Sequence, residues 1–113
     1  MKENILIAEF MGMWADPIDK SVMIKMTPQG NEVVPVESLN YHNSWDWLMP
    51  VVEKIENFIF DENNSYNVTI GSTNYCVIQD SNGDTIEIIK DNGKSKLETT
   101  YKAVVEFIKE FNK

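Results

Sequence analysis

The stretch Ser65–Lys90, SYNVTIGSTNYCVIQDSNGDTIEIIK, decides the fold. Tyr66, Val68 and Ile70 alternate with Asn67 and Thr69, the period of a strand with one buried face. Gly71-Ser72-Thr73-Asn74 then turns the chain, and Tyr75–Gln79 forms a partner strand. Asp80-Ser81-Asn82-Gly83-Asp84 turns it again around an Asn-Gly pair suited to positive φ, and Thr85–Lys90 returns as a third strand. Connections this short join only antiparallel neighbours, because parallel strands need a long crossover.

Downstream, Asp91-Asn92-Gly93 closes the meander. A helix over Ser95–Phe111 follows, with Leu97, Tyr101, Val104, Val105, Ile108 and Phe111 as its apolar stripe. Its outer face carries Glu98, Lys102, Glu106 and Lys109 at charge-pairing spacing. Upstream lies the other strongly amphipathic helix, Ser44–Phe60, with Leu48, Val51, Val52, Ile55, Phe58 and Ile59 on one side. Pro50 leaves two readings of it: a separate turn over Trp45–Met49 with Pro50 opening the main helix, or one helix that runs through with a kink.

Further toward the N-terminus, Val22, Ile24 and Met26 alternate as a strand, Thr27–Asn31 is a turn, and Glu32–Val36 is a second strand. Pro35 removes a ladder donor and places that strand at an edge. Residues 3–13 form a short helix with Asn4 as its cap and Leu6, Phe10 and Met13 on one side, Ile5 and Ala8 beside them. It ends near Gly12, before Asp16-Pro17. The order is α-β-β-α-β-β-β-α in a single domain spanning residues 1–113. An α+β fold follows, with a mainly antiparallel sheet of about five strands and three helices packed on it. Strands such as Tyr75–Ile78, apolar on both sides, allow helices on both faces.

Composition narrows the function. Apolar residues make up 42% and charged residues 25% of the chain, the balance of an ordinary globular protein. Eighteen acids against ten lysines give a net charge of -8, and arginine is absent. Without the bidentate fork that reads guanine and phosphate, and without a basic patch in either half, nucleic acid is disfavoured as a partner. The lone Cys76 has no internal disulfide partner. The apolar run Ile5–Ala8 stops at Glu9, too short for a signal peptide, and no stretch approaches the roughly 20 apolar residues of a membrane span. A cytoplasmic protein without a membrane partner is expected, in which the glycosylation sequons at Asn63 and Asn67 have no use.

The densest chemistry is Tyr41-His42-Asn43-Ser44-Trp45-Asp46-Trp47-Leu48-Met49-Pro50. Tyr41, His42, Trp45, Asp46 and Trp47, gathered where a helix starts, suit a pocket for a partner or ligand. The same residues also suit plain structure: Asn43 or Ser44 caps the helix, Asp46 complements its dipole, and the indoles fill a core. His42 is the only histidine, which argues against any His-based triad, acid/base pair or multi-histidine metal site; one histidine can still serve with Cys76 or Asp46. Cys76 sits mid-strand, the setting of a buried, inert thiol. Asp80, Asn82 and Asp84 begin a calcium-loop pattern, but Gly83 stands at position four instead of six. No phosphate loop, nucleophile elbow or metal-ligand spacing occurs, and no cofactor or metal is expected.

The segment Tyr41–Glu56, with its Tyr-x-x-Ser-Trp start and its Val51-Val52-Glu53-Lys54-Ile55 continuation, resembles the phage ABA-sandwich domain family. These are small proteins of phages, prophages and Bacteroides-type bacteria. Ala8-Glu9-Phe10-Met11-Gly12, Cys76-Val77-Ile78 and Tyr101–Lys109 match further pieces, and residues 14–38 lie outside the likeness. The resemblance implies an α/β/α sandwich and a prophage context; it carries over no reaction and no catalytic residue. The expected function is a non-catalytic accessory or binding module that meets a protein or small ligand near Tyr41–Trp47. The alternatives are an acidic inhibitor or DNA mimic of phage origin, and an enzyme that uses His42. The edge strand and Trp14 offer surfaces for self-association.

Overall fold

In the computed structural model, the structure describes residues 2–57, 59–61, 64–71, 75–80, 85–90 and 95–112, with backbone alone for 59–61, 64 and 85–90. The expected turns at 72–74, 81–84 and 91–93 lie outside these residues, as do Asn63, Asn82 and Asp84 of the sequon and calcium-loop patterns and Phe58 of the central stripe. Helix α1 covers Lys2–Phe10, β1 Trp14–Ala15, β2 Val22–Thr27 and β3 Gly30–Pro35. A short 3-10 turn at Val36–Ser38 leads to α2, Trp45–Asn57. Then come β4, Ile59–Asp61; β5, Asn64–Ile70; β6, Tyr75–Asp80; β7, Thr85–Lys90; and α3, Lys96–Phe111.

The α+β class, the three helices and the antiparallel strands agree with the sequence reading. The strands are divided between two sheets, β1-β2-β3 and β4-β5-β6-β7. Strands β1 and β4 are only two and three residues long, too short to show a period. Ile59, expected in the central helix, belongs to β4, where its backbone pairs with Ser65.

Helix α1 ends in a motif that the Ala8–Gly12 segment spells out. Gly12 adopts φ +98°, the Met13 N–H reaches the Ala8 carbonyl at 3.0 Å, and the Gly12 N–H reaches the Glu9 carbonyl at 3.0 Å. This is the Schellman pattern, which satisfies carbonyls that a helix end otherwise leaves open. Helix α3 starts with the Ser95 hydroxyl accepting from the Glu98 N–H at 3.1 Å. Helix α2 settles the two readings of Pro50: the helix runs continuously from Trp45, with Pro50 in its second turn. The Ser44 carbonyl opens its ladder by accepting from the Trp47 and Leu48 N–H groups.

On the larger sheet, Val68 pairs with Ile78 and Ile70 with Cys76, so these side chains share one face. Helix α2 lies over β5, α3 lies over β6 and β7, and the two helices touch each other while α1 packs on α3. Ile7, Leu48, Val51, Ile55, Cys76, Ile78, Val104 and Ile108 are sealed in the resulting core. Met23 from β2 joins the same core, with Val34 packed beside it, which ties the small sheet to the helices. The inward face of α1 is Asn4, Ile7 and Ala8, a stripe rotated from the expected Leu6–Phe10–Met13 side. Asn4 is therefore a buried residue inside the helix and does not act as its cap. Burial of this polar side chain is possible because all of its donors and its acceptor find partners.

Candidate functional site

Of the five residues singled out by the sequence, Tyr41, Asp46 and Trp47 meet at one cleft, and His42 and Trp45 stand apart from it. Tyr41 is buried, and its ring meets Trp47 edge to face at 5.2 Å between centroids. Trp47 is half-buried and, with Tyr41, Asp46 and Pro50, lines a cleft of about 400 Å³ against Met11, Gly12, Met13, Lys25 and Met26. His42 faces elsewhere, into a broader groove of about 850 Å³ along α3. Trp45 is exposed at the start of α2 and lines neither.

The cleft is assembled from helix ends. The Schellman stop at Gly12 projects Met11 and Met13 toward the start of α2, and β2 supplies Lys25 and Met26. Burial of Tyr41 pushes its phenol pKa up and makes that ring a fixed backing for the Trp47 indole. Met11 and Met13, half-buried, give the cleft an apolar wall and the exposed Met26 stands at its rim, and the unbranched thioether of methionine adapts to many shapes. Lys25 and Asp46 at the rim provide one charge of each sign. Such a site suits an inserted apolar side chain with polar backbone on either side.

In the second groove the organising residue is Asn4. Its Nδ2 donates to the Leu39 carbonyl at 3.1 Å and lies 2.9 Å from His42 Nδ1, while its Oδ1 accepts from the Tyr101 hydroxyl at 2.9 Å. The Leu39 carbonyl can only accept, so the amide must turn its NH2 that way. His42 Nδ1 then accepts, and the ring proton sits on Nε2. Burial, with a smaller push from Glu3, raises the Tyr101 phenol to about 12. Tyr101 therefore stays protonated and donating. Glu98, Lys102, Glu106 and Lys109 border this groove. Lys102–Glu98 at 3.6 Å and Lys109–Glu106 at 3.4 Å form the charge pairs that the spacing predicts.

His42 and Asp46 thus line different clefts. Cys76 is fully buried, and burial lifts its thiol to about 11 despite the opposing effect of the Thr100 hydroxyl. No group of three or more His, Cys, Asp or Glu that could hold a metal ion occurs among the described residues, and no described helix is long and apolar enough to cross a membrane. Sequence reasoning missed Asn4 and the three methionines as site residues. Asn4 falls three and four residues before Ile7 and Ala8, so it completes a helical face that its polarity disguises. The methionines come from separate elements, and no local pattern links them.

Set against family models, curated proteins and solved structures, the chain matches none of them.

Proposed function

We propose that the chain is a non-catalytic accessory or binding module of the phage or prophage kind, working in the cytoplasm. The observation that carries this reading is the methionine-lined cleft, in which Tyr41 buttresses Trp47 from behind and Asp46 and Lys25 flank the opening. It offers a partner protein or small ligand an adaptable apolar socket next to the start of α2. The alternatives have less behind them. An enzyme that pairs His42 with Asp46 or Cys76, the two partners its sequence offers, is disfavoured because Asp46 lines another cleft and Cys76 is buried. An inhibitor that imitates DNA needs unbroken rows of carboxylate, yet α3 pairs Glu98 and Glu106 with lysines.

The test is fragment mapping by two-dimensional NMR on the labelled chain. Hits are expected to move the Trp47 indole N–H and the amides of Met11–Met13 and Lys25–Met26, and Trp47→Ala should abolish them. Hits confined to the His42–Tyr101 groove, or none at millimolar fragment, would overturn the proposal.

A further inference from the structure

Among the described residues, the small sheet has a free edge. β3 is the last strand in the order β1-β2-β3, and Gly30–Val33 and Pro35 are exposed, with Val33 at 60%. The Val36 N–H donates to the Ser21 carbonyl at 2.8 Å, which makes that opposed pair a hydrogen-bonded one. Bonded and non-bonded pairs alternate along an antiparallel ladder. Val22–Pro35, Ile24–Val33 and Met26–Asn31 are therefore the non-bonded pairs, and on β3 the backbone groups of Asn31, Val33 and Pro35 point away from β2. Proline has no N–H, so the edge presents two full donor–acceptor sets, at Asn31 and Val33.

Side chains add a second code. Trp14, Ile24 and Val33 stand in one row across the outer face, with Met26, 72% exposed, one step along. Between Asn31 and Val33, Glu32 points to the other face. Lys25 opposes it on β2, yet no ion pair joins these two described residues.

We propose that the β3 edge receives an extended segment of a partner protein as an added antiparallel strand, with a lysine or arginine opposite Glu32 and apolar residues on either side of it. Main-chain bonds to Asn31 and Val33 hold the strand, and its apolar residues extend the Trp14–Ile24–Val33 row. The charge on Glu32, in a chain of net -8, selects the basic residue. The same charge rejects a second copy of this chain. Two β3 strands that use both donor sets must place Asn31 opposite Val33, which sets Glu32 against Glu32 at a close, non-bonded pair. Centring the contact on Val33 instead matches Asn31 with Pro35, which has no donor. The inference rests on the binding-module reading but not on the cleft, which is read separately at the Trp47 indole.

The experiment uses the labelled full chain and two blocked five-residue peptides, threonine-valine-X-valine-threonine, with X either lysine or glutamate. The lysine peptide is expected to shift and slow the exchange of the Asn31 and Val33 amide protons saturably, and the glutamate peptide to bind about fivefold more weakly. Glu32→Lys should reverse that order. Val33→Pro, which deletes an outward donor at an edge that tolerates proline, should abolish binding while the spectrum stays dispersed. Asn31 and Val33 amides that ignore millimolar peptide would overturn the proposal. So would a preference that Glu32→Lys leaves unchanged, or protection of those amides that rises with protein concentration and no peptide.

Discussion

The Tyr101 hydroxyl donates to Asn4 Oδ1 at 2.9 Å, joining residues 97 positions apart and fastening the first helix to the last. Asn4 is buried and also engages Leu39 and His42, so one amide ties α1 to α3 and to the loop before α2. Asn4→Ala strands the buried Leu39 carbonyl and takes the acceptor from the half-buried Tyr101 hydroxyl, and should cost about 2 kcal/mol. Tyr101→Phe removes one bond and should cost about 1 kcal/mol, and the double variant should be little worse than Asn4→Ala alone, because the partners are shared. Urea unfolding measures all three. A cost for Asn4→Ala below that for Tyr101→Phe would contradict this picture.

Lys54 of α2 closes the other end of α1. Its Nζ donates to the Phe10 carbonyl and sits 4.9 Å from the centroid of the Phe10 ring. A cation at a helix C-terminus is favoured by the exposed carbonyls, and the ring face adds to the attraction. Lys54→Met keeps most of the stem and removes the charge, so it should lower stability by about 1 kcal/mol. Added salt should narrow the gap between variant and parent. A salt-independent loss would mean that packing of the stem, not charge, is what Lys54 contributes.

Gly12 supplies the left-handed residue of the helix stop, and a methyl added there meets nothing within 4 Å. Gly12→Ala therefore costs only the backbone conformation, about 1 kcal/mol. Gly12→Asn should cost less, since asparagine tolerates that region better. Thermal unfolding of the two variants gives the order, and equal losses would point to a shift in the loop instead.

These elements show what the sequence exposes and what it hides. The meander, α3, the Gly12 stop and the edge position of β3 are all legible, because each follows from local period, turn chemistry or a missing donor. Pro50 is not: its cost of about 3 kcal/mol inside a helix argues for a break, yet the buried stripe of Leu48, Val51, Val52 and Ile55 keeps the helix whole. Ile59 fits a helical stripe and is taken instead by pairing with Ser65, a contact the helix period cannot foresee. At the candidate site, the Tyr41–Trp47 segment reads as one cluster, but a helix start turns neighbours to different sides. His42 leaves with Asn4 and Tyr101, while Trp47 faces methionines from the turn after α1 and from β2.

Thr99 and Thr100 place their hydroxyls in the interior of α3 with no hydrogen-bond partner of good geometry, although Thr100 lies beside the Cys76 thiol. A buried hydroxyl without a partner carries its desolvation cost uncompensated. Thr99→Val, nearly the same shape, should therefore stabilise the fold by about 1 kcal/mol. Thr100→Val should gain less, because the thiol already offers a weak partner. A loss of stability on Thr99→Val in urea titration would show that the hydroxyl is bonded in solution.

Alkaline pH should unfold this protein through groups that the folded state keeps protonated. Burial lifts the Cys76 thiol from 9.0 to about 11, and burial with Glu3 lifts the Tyr101 phenol from 10.0 to about 12. In both cases the folded chain holds its proton more tightly than the unfolded chain, so unfolding releases protons in that range and stability falls as pH rises. The contribution is complete below pH 9, declines first through Cys76 and then through Tyr101, and is gone above pH 12. Denaturant unfolding across this window should show the decline, and Tyr101→Phe should flatten its upper part while leaving the lower part in place. At pH 8 a thiol reagent should label Cys76 no faster than the chain opens, so added urea accelerates labelling. Immediate stoichiometric reaction in native buffer would place the thiol at the surface and remove the lower half of the argument.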